Sequence, residues 1–353
     1  MSEPNPSQDL RLSRYSRQVL FEGVGPDGQR RLLRSRVVLI GCGALGNVLA
    51  STLARAGVGH LRLCDRDFVE RDNLQRQILF DEEDVRASLP KAEAAFRKLA
   101  QINSEITIEP VVADINYTNI ERLCENTDLI LDGTDNFETR YLINDFAVKT
   151  SRPWIYGGVI GASGLCMTII PGQTPCLRCV FDEPPPPEAT PTCDTAGVLA
   201  AAVQVVASLQ ATEAMKLLMG REHDLNRRLV QVDVWSARIS CIAAADSRPN
   251  PDCPCCGQRR FPYLEGALGS ETTTLCGRNA VQIRRAGGEP VHLASIAEKL
   301  RKVASAAVQL NPYLLRTSVG EFELTLFPDG RAIIKGTSDP QRARAVYSRF
   351  IGG

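Results

Sequence analysis

A chain of 353 residues is long for one ordinary domain and points to about two. With 44% hydrophobic and 23% charged residues it has the apolar content for a sizeable core, which excludes a disordered chain. Lys plus Arg and Asp plus Glu are equal at 41 each, so no global field argues for a nucleic-acid or membrane partner.

The opening MSEPNPSQDLRLSRYSRQ lacks the apolar centre of a signal peptide. Residues 9–35 read as a charged amphipathic lead-in. Arg36 to Ile40 is a continuous apolar run bounded by Gly41, as expected of a buried parallel strand, and Ala44 to Ala56 has helical composition ending at Gly57. The alternation continues with strands at Leu61–Asp65, Ile106–Ala113, Asp128–Asp132 and Trp154–Val159. Helices at Pro90–Gln101 and Glu138–Lys149 lie between them. This pattern predicts an α/β, Rossmann-like doubly wound sheet, mostly parallel. The interval 182–194 (DEPPPPEATPTCD) excludes a central strand and reads as an exposed crossing loop. The apolar stretch Gly197 to Leu209 is shorter than the roughly 20 residues of a membrane span, and it predicts a buried helix over Val198–Met219. Strands follow near Leu229–Val234 and Arg238–Ala244.

A boundary is expected over 261–275 (FPYLEGALGSETTTL), separating residues 1–260 from a small α+β domain at 276–353. That domain offers a strand at Val281–Arg284 and a helix at Ser295–Ala304. A hairpin over Glu321–Ile334 turns at Pro328-Asp329-Gly330, and a last helix spans Arg342–Arg349.

Gly41-Cys42-Gly43-Ala44-Leu45-Gly46 fits GxGxxG between a strand and a helix, where glycine lets phosphates approach the backbone at a helix N-terminus. Asp65 ends the next strand, where a carboxylate can accept from ribose hydroxyls. These features alone fit NAD, FAD or ATP equally, and a nicotinamide-dependent oxidoreductase stays open on them. Three further groups favour ATP. Arg76 lies in NLQRQ, and Lys91 starts a helix although a cation there opposes the macrodipole. Asp135 lies just past the carboxyl end of a strand, where open sheets bind ligands.

At these residues the chain resembles the ThiF, MoeB and HesA family, related to the adenylation domains of ubiquitin-activating enzymes. The resemblance runs from about Leu12 to Gln258. It rests on RYSRQ at 14–18, the glycine loop, GVGHLRLCDRDFVERDNLQRQ at 57–77, PKAEAA at 90–95 and DGTDN at 132–136, and it is weighted towards MoeB-like members. It implies an enzyme that adenylates the C-terminal glycine carboxylate of a ubiquitin-like or sulfur-carrier protein ending in Gly-Gly. Asp65 would bind ribose, Asn73 would face the nucleotide, and Arg76 and Lys91 would hold the triphosphate. Asp135 would organise magnesium, and Arg17 would reach the ATP of a partner subunit, which implies a homodimer. A sulfurtransferase belongs among the implied partners. A catalytically silent carrier-binding scaffold is the alternative from another class.

Twelve cysteines without an export signal point to a reduced, cytoplasmic compartment. Cys176–Cys179 and Cys253–Cys256 are two CxxC pairs, the spacing of a closed tetrahedral zinc site, with Cys255 left over. Cys193 follows the Pro-rich loop without a nearby partner. In similar enzymes this position takes the activated carrier, although Asp194 beside it would raise the thiol pKa. Cys42, Cys64, Cys124, Cys166 and Cys241 are expected to be buried, inert thiols. The C-terminal domain has only Cys276 and is too short for a rhodanese domain. It reads as packing or dimer support, with carrier docking as the sharper reading. The terminal Gly352-Gly353 matches the handle that such enzymes activate, which would make the chain its own substrate, although glycine is ordinary past a helix end.

Overall fold

The computed structural model describes residues 10–184, 196–242, 249–268, 272–275, 279–283, 291–303 and 307–351. Cys193, Cys276 and Gly352-Gly353 lie outside them, as does the centre of the Pro-rich interval.

Two compact units divide the chain, the first built on Met1–Pro185 and Gly197–Leu268, the second on Gly269–Gly353. In the first, the lead-in forms short helices at Leu10–Ser13 and Ser16–Val19, then α1 (Gly25–Leu32). The order continues β1 (Arg36–Ile40), α2 (Ala44–Ala56), β2 (His60–Asp65), α3 (Lys91–Ile102), β3 (Thr107–Val112), β4 (Leu129–Asp132), α4 (Phe137–Thr150) and β5 (Trp154–Ile160). It ends with β6 (Ser163–Ile169), α5 (Ala200–Leu218), β7 (Leu229–Asp233) and β8 (Arg238–Ile242). The sheet runs β3-β2-β1-β4-β5-β6-β7-β8. Pairings from β3 through β5 are parallel, and those from β5 through β8 are antiparallel.

The two-residue period of a strand explains the two covered faces. Val37 and Leu39 join α2, α3 and α5 in one core, whereas Val38 and Ile40 join α4 and the cysteine-rich segment in another. Chain order reverses at the β1–β4 neighbours, which opens a crevice at their carboxyl ends.

The second unit is an antiparallel sheet ordered β11-β12-β13-β14-β10-β9. Its strands are β9 (Thr272–Leu275), β10 (Ala280–Ile283), β11 (Gln309–Leu310), β12 (Leu315–Val319), β13 (Phe322–Leu326) and β14 (Ala332–Lys335). Helices α6 (Leu293–Val303) and α7 (Pro340–Phe350) share one core with it.

Three expectations need correction. The span 261–275 is not a free linker: Phe261 and Tyr263 are buried in the first unit's core, and Thr272–Leu275 pairs with β10. Their aromatic rings gain more from burial than a connecting segment would. Cys241 is exposed, because β8 is an edge strand with all five residues exposed. Strand β6, absent from the sequence reading, returns antiparallel to β5 through a tight turn at Gly161, where φ is 60°.

Candidate functional site

The crevice at the switch point is built by three chain segments leaving β1, β2 and β4. Gly41 has φ 93°, open to glycine, and its N–H donates to Cys64 O at 2.8 Å. A Cβ on Gly46 would lie 2.0 Å from Gly41 O, and one on Gly133 would lie 2.3 Å from the same atom. The turn after β1, the start of α2 and the end of β4 thus touch backbone to backbone. A Cβ on Gly43 meets only Gly133 O, at 3.7 Å, which is ordinary contact. Burial, followed by the nearby Asp65 charge, pushes the Cys42 thiol well above its usual value, so it stays protonated.

Asn47 ties this loop to the next segment. Its Nδ2 donates to Cys42 O at 2.7 Å and Gly43 O at 3.0 Å, while Oδ1 accepts from Leu79 N at 2.8 Å. The segment ending at Leu79 carries Asn73 and Arg76. Asn73 is 1% exposed; its Oδ1 accepts from Glu70 N, and Arg76 Nη1 donates to Asp72 O at 2.7 Å.

Asp65 closes the crevice from β2. Its Oδ2 accepts from Cys42 N at 2.6 Å and Oδ1 from Asp67 N at 2.7 Å, which leaves each oxygen a further lone pair. Burial raises its pKa, against the pull of the Lys91 cation. Lys91, 3% exposed, places Nζ 3.4 Å from Asp67 Oδ2. Its unfavourable position at the start of α3 is therefore met within the chain by Asp67, a partner sequence reasoning did not single out. The DRD spacing after β2 carried that signal.

Asp135 is exposed on the loop leaving β4, and the charges of Arg66 and Arg140 both respond to it. Arg140, in the first turn of α4, pairs with buried Asp132 at 3.1 Å. Burial opposes its charge, yet the Asp132 carboxylate holds its pKa above the ordinary value. Sequence reasoning missed this pair too, although a cation in a first helical turn was the clue that singled out Lys91.

The structure brings Gly41, Gly43, Gly46, Asp65 and Lys91 together, with Asp135 across from them and Arg76 tethered through Asn47. Arg17 is not in this group. Its helix sits where Gln18 Nε2 donates to Ala56 O at 2.9 Å and where the Tyr15 ring fills the space beside Gly57. That is the far end of α2, about 20 Å along the helix from the glycine loop at 1.5 Å per residue.

A second cluster lies on the α4 side of the sheet. Sγ atoms are separated by 3.8 Å for Cys176–Cys179, 3.6 Å for Cys176–Cys253 and 3.3 Å for Cys179–Cys256. All four lie within 4.8 Å of one another. Tetrahedral zinc with Zn–S of about 2.3 Å requires sulfur–sulfur edges of about 3.8 Å, so the donor set fits that ion. Cys255 is fully buried and accepts from Asn144 Nδ2 at 3.2 Å. Asn144 Oδ1 accepts from Leu177 N at 2.8 Å, so one amide on α4 orients both CxxC turns. Nothing in the spacing pointed to Asn144.

Among the described residues no helix is long and apolar enough to cross a membrane.

The sequence profile of the ThiF family matches residues 15–255. The chain is 45% identical over 339 residues to the sulfur carrier protein ThiS adenylyltransferase of Bacillus subtilis, spanning 96% of this chain and 99% of that one. It is 41% identical over 254 residues to the SAMP-activating enzyme E1 of Haloferax volcanii, covering 72% of this chain and 92% of that enzyme. Its fold is similar to that of E. coli MccB solved with AMPCPP and MccA, with TM-score 0.62 and 26% identity over 71% of this chain and 74% of that one.

Proposed function

Since the chain belongs to the ThiF family, we propose that it uses ATP to adenylate the C-terminal glycine carboxylate of a small sulfur-carrier or ubiquitin-like protein. The observation that carries this reading is the crevice at the sheet's switch point, where a glycine loop, a ribose-competent Asp65 and buried Lys91 share one mouth with Asp135.

The chemistry asks little of a general base. The carrier's carboxylate is ionised at neutral pH and attacks the α-phosphorus; the bond to the bridging oxygen breaks and pyrophosphate leaves with the electron pair. The acyl-adenylate then has AMP as leaving group where the free acid had only hydroxide. The site must align the reactants and neutralise charge on departing pyrophosphate. Asp65 would take the ribose and the N-terminus of α2 the phosphates, with Asn73 facing the nucleotide. Arg76 and Lys91 would hold the triphosphate, Lys91 exchanging Asp67 for phosphate. Magnesium, when bound beside Asp135, would supply further positive charge there.

Arg17 would serve a second copy's site, since in its own chain it lies at the wrong end of α2; this predicts a homodimer. Zinc held by Cys176, Cys179, Cys253 and Cys256 would clamp the start of the Pro-rich interval to the segment after β8, without a part in the reaction. Cys193 would act next: its thiolate attacks the acyl-adenylate carbonyl, AMP departs, and a thioester remains. Non-reducing mass spectrometry of Cys193→Ser against the parent checks that step; unchanged turnover with no adduct on the parent removes it.

Carrier-dependent exchange of labelled pyrophosphate into ATP tests the central reading. Exchange with a protein ending in Gly-Gly, lost in Asp135→Ala, supports it. ATP that fails to bind overturns it, and ATP that binds without exchange for any carrier favours the silent scaffold.

A further inference from the structure

Strands β4 and β5 pair at Ile130↔Trp154 and Leu131↔Ile155. Beyond those residues, where the Asp135 loop begins, side chains bridge the two strands. Arg140 Nε donates to Asp132 Oδ2 at 3.1 Å, and Nη2 donates to Thr134 O at 2.8 Å and to Gly157 O at 3.0 Å. Gln210 Nε2, from α5, donates to Asp132 O at 2.9 Å and Ile155 O at 3.4 Å. The other Asp132 oxygen accepts from Thr134 N and Oγ1 at 2.9 and 2.7 Å. The chain leading into Asp135 is thus tied to β5 by the Arg140 guanidinium, the Gln210 amide and a backbone hydrogen bond from Gly157 to the Asp132 carboxylate.

This arrangement suits orientation better than stability. A cation in the first turn of α4 opposes the helix dipole, and a buried ion pair is weak evidence for stabilisation compared with apolar packing. What Arg140 adds is direction: its planar fork fixes two carbonyls and a carboxylate together, which neither lysine nor an apolar side chain can do. The Phe137 and Tyr156 rings, with centroids 5.5 and 5.2 Å from the guanidinium carbon, hold the fork in place.

We propose that Arg140 is a positioning residue which, with Asp132 and Gln210, spans the β4–β5 split and sets the Asp135 loop over the glycine loop. The inference rests on the reading that Asp135 serves the phosphate end of ATP.

The test uses the full chain and carrier-dependent pyrophosphate exchange across a magnesium titration. The double variant Arg140→Gln/Asp132→Asn keeps hydrogen-bonding groups and leaves no uncompensated buried charge; Arg140→Lys keeps charge without the fork. The expected result in folded protein is exchange kcat lower by about 10²-fold for the double variant, the KM for ATP within about threefold, and half-saturation by magnesium displaced upward. In an Asp135→Asn background that keeps measurable residual exchange, the same double substitution should cost little further, a non-additivity that a general packing role would not produce. Equal fractional losses in both backgrounds, or wild-type kcat in the folded double variant, overturn the proposal. Should the double variant fail to fold, Gln210→Met decides: it removes the amide bonds without touching a charge, about a tenfold loss is expected of a supporting residue, and a wild-type rate overturns the inference. If Asp135→Ala itself leaves exchange intact, the role given to Asp135 fails first. If Asp135→Ala abolishes exchange while the brace variants retain it, this inference alone fails.

Discussion

Gly43→Ala separates a glycine needed by the fold from one needed by the ligand. An added methyl at Gly43 meets Gly133 O at 3.7 Å and nothing closer, and φ of −75° suits alanine, while ψ of −148° lies just outside the extended region that L residues favour. The folded state should therefore accept it at the cost of a good N-cap on α2 and of that ψ. Together these cost about 2 kcal/mol, or about 4–8 °C in a domain of this size. A phosphate seated against the same backbone has no such tolerance, because the methyl occupies the space through which the amide approaches its oxygen. Displacing the reacting phosphate by about 1 Å should lower exchange kcat/KM about 10²-fold, equivalent to about 2.7 kcal/mol in the transition state. Calorimetric titration with ATP, pyrophosphate exchange and a thermal melt on one preparation read all three quantities. Wild-type ATP affinity and exchange in Gly43→Ala would refute a phosphate site at this loop. A large fall in melting temperature would show instead that the structural reading of Gly43 is wrong.

Gly46→Ala should behave oppositely, with a melting temperature lowered well beyond that of Gly43→Ala, because its methyl would sit 2.0 Å from a backbone oxygen; differential scanning calorimetry compares the two. Cys256→Ser, or a strong chelator, should release about one equivalent of metal per chain by atomic absorption and lower thermal stability, in keeping with a closed structural site. Arg17→Ala and Asp135→Ala, each inactive alone, should recover up to about a quarter of wild-type exchange when co-expressed, through mixed dimers that keep one intact site; no recovery in purified mixed dimers refutes the role of Arg17 in trans. His60 predicts an acid limb in stability. Burial, then the Arg36 charge, lowers its pKa from 6.5, so the unfolded chain binds the proton more readily and stability rises with pH between the lowered folded value and 6.5. The effect is discounted by the ring's partial solvent contact, and His60→Gln should flatten this limb in denaturant midpoints measured across it.

The parallel half of the sheet was legible because each strand is a short apolar run closed by glycine or aspartate, with helical composition between runs. The glycines and carboxylates proposed for the site stood out for the same reason: they fall at strand ends, where periodicity breaks. What stayed hidden depends on contacts distant in sequence. Asn144 reads as one polar residue on α4, and only folding puts it between two CxxC turns. Gln210 reads as a flaw in an apolar helix until β4 and β5 diverge beside it. The weak alternation of Ser163–Ile169 hid β6, and the exposure of Cys241 followed from edge position, which composition does not reveal.

Charge sets the second unit apart from the rest of the chain. The balanced total conceals an asymmetry, because residues 269–353 hold 12 Lys and Arg against 7 Asp and Glu, leaving 29 against 34 elsewhere. Much of that excess is displayed outward: α6 exposes Lys299, Arg301 and Lys302, and α7 exposes Arg342, Arg344 and Arg349, while their apolar residues face the sheet. The Haloferax volcanii enzyme matches 72% of this chain and 92% of its own length. The Bacillus subtilis adenylyltransferase, in contrast, matches nearly end to end. With those cations turned outward and the apolar residues buried against the sheet, the second unit carries a net positive balance while the rest of the chain carries a net negative one.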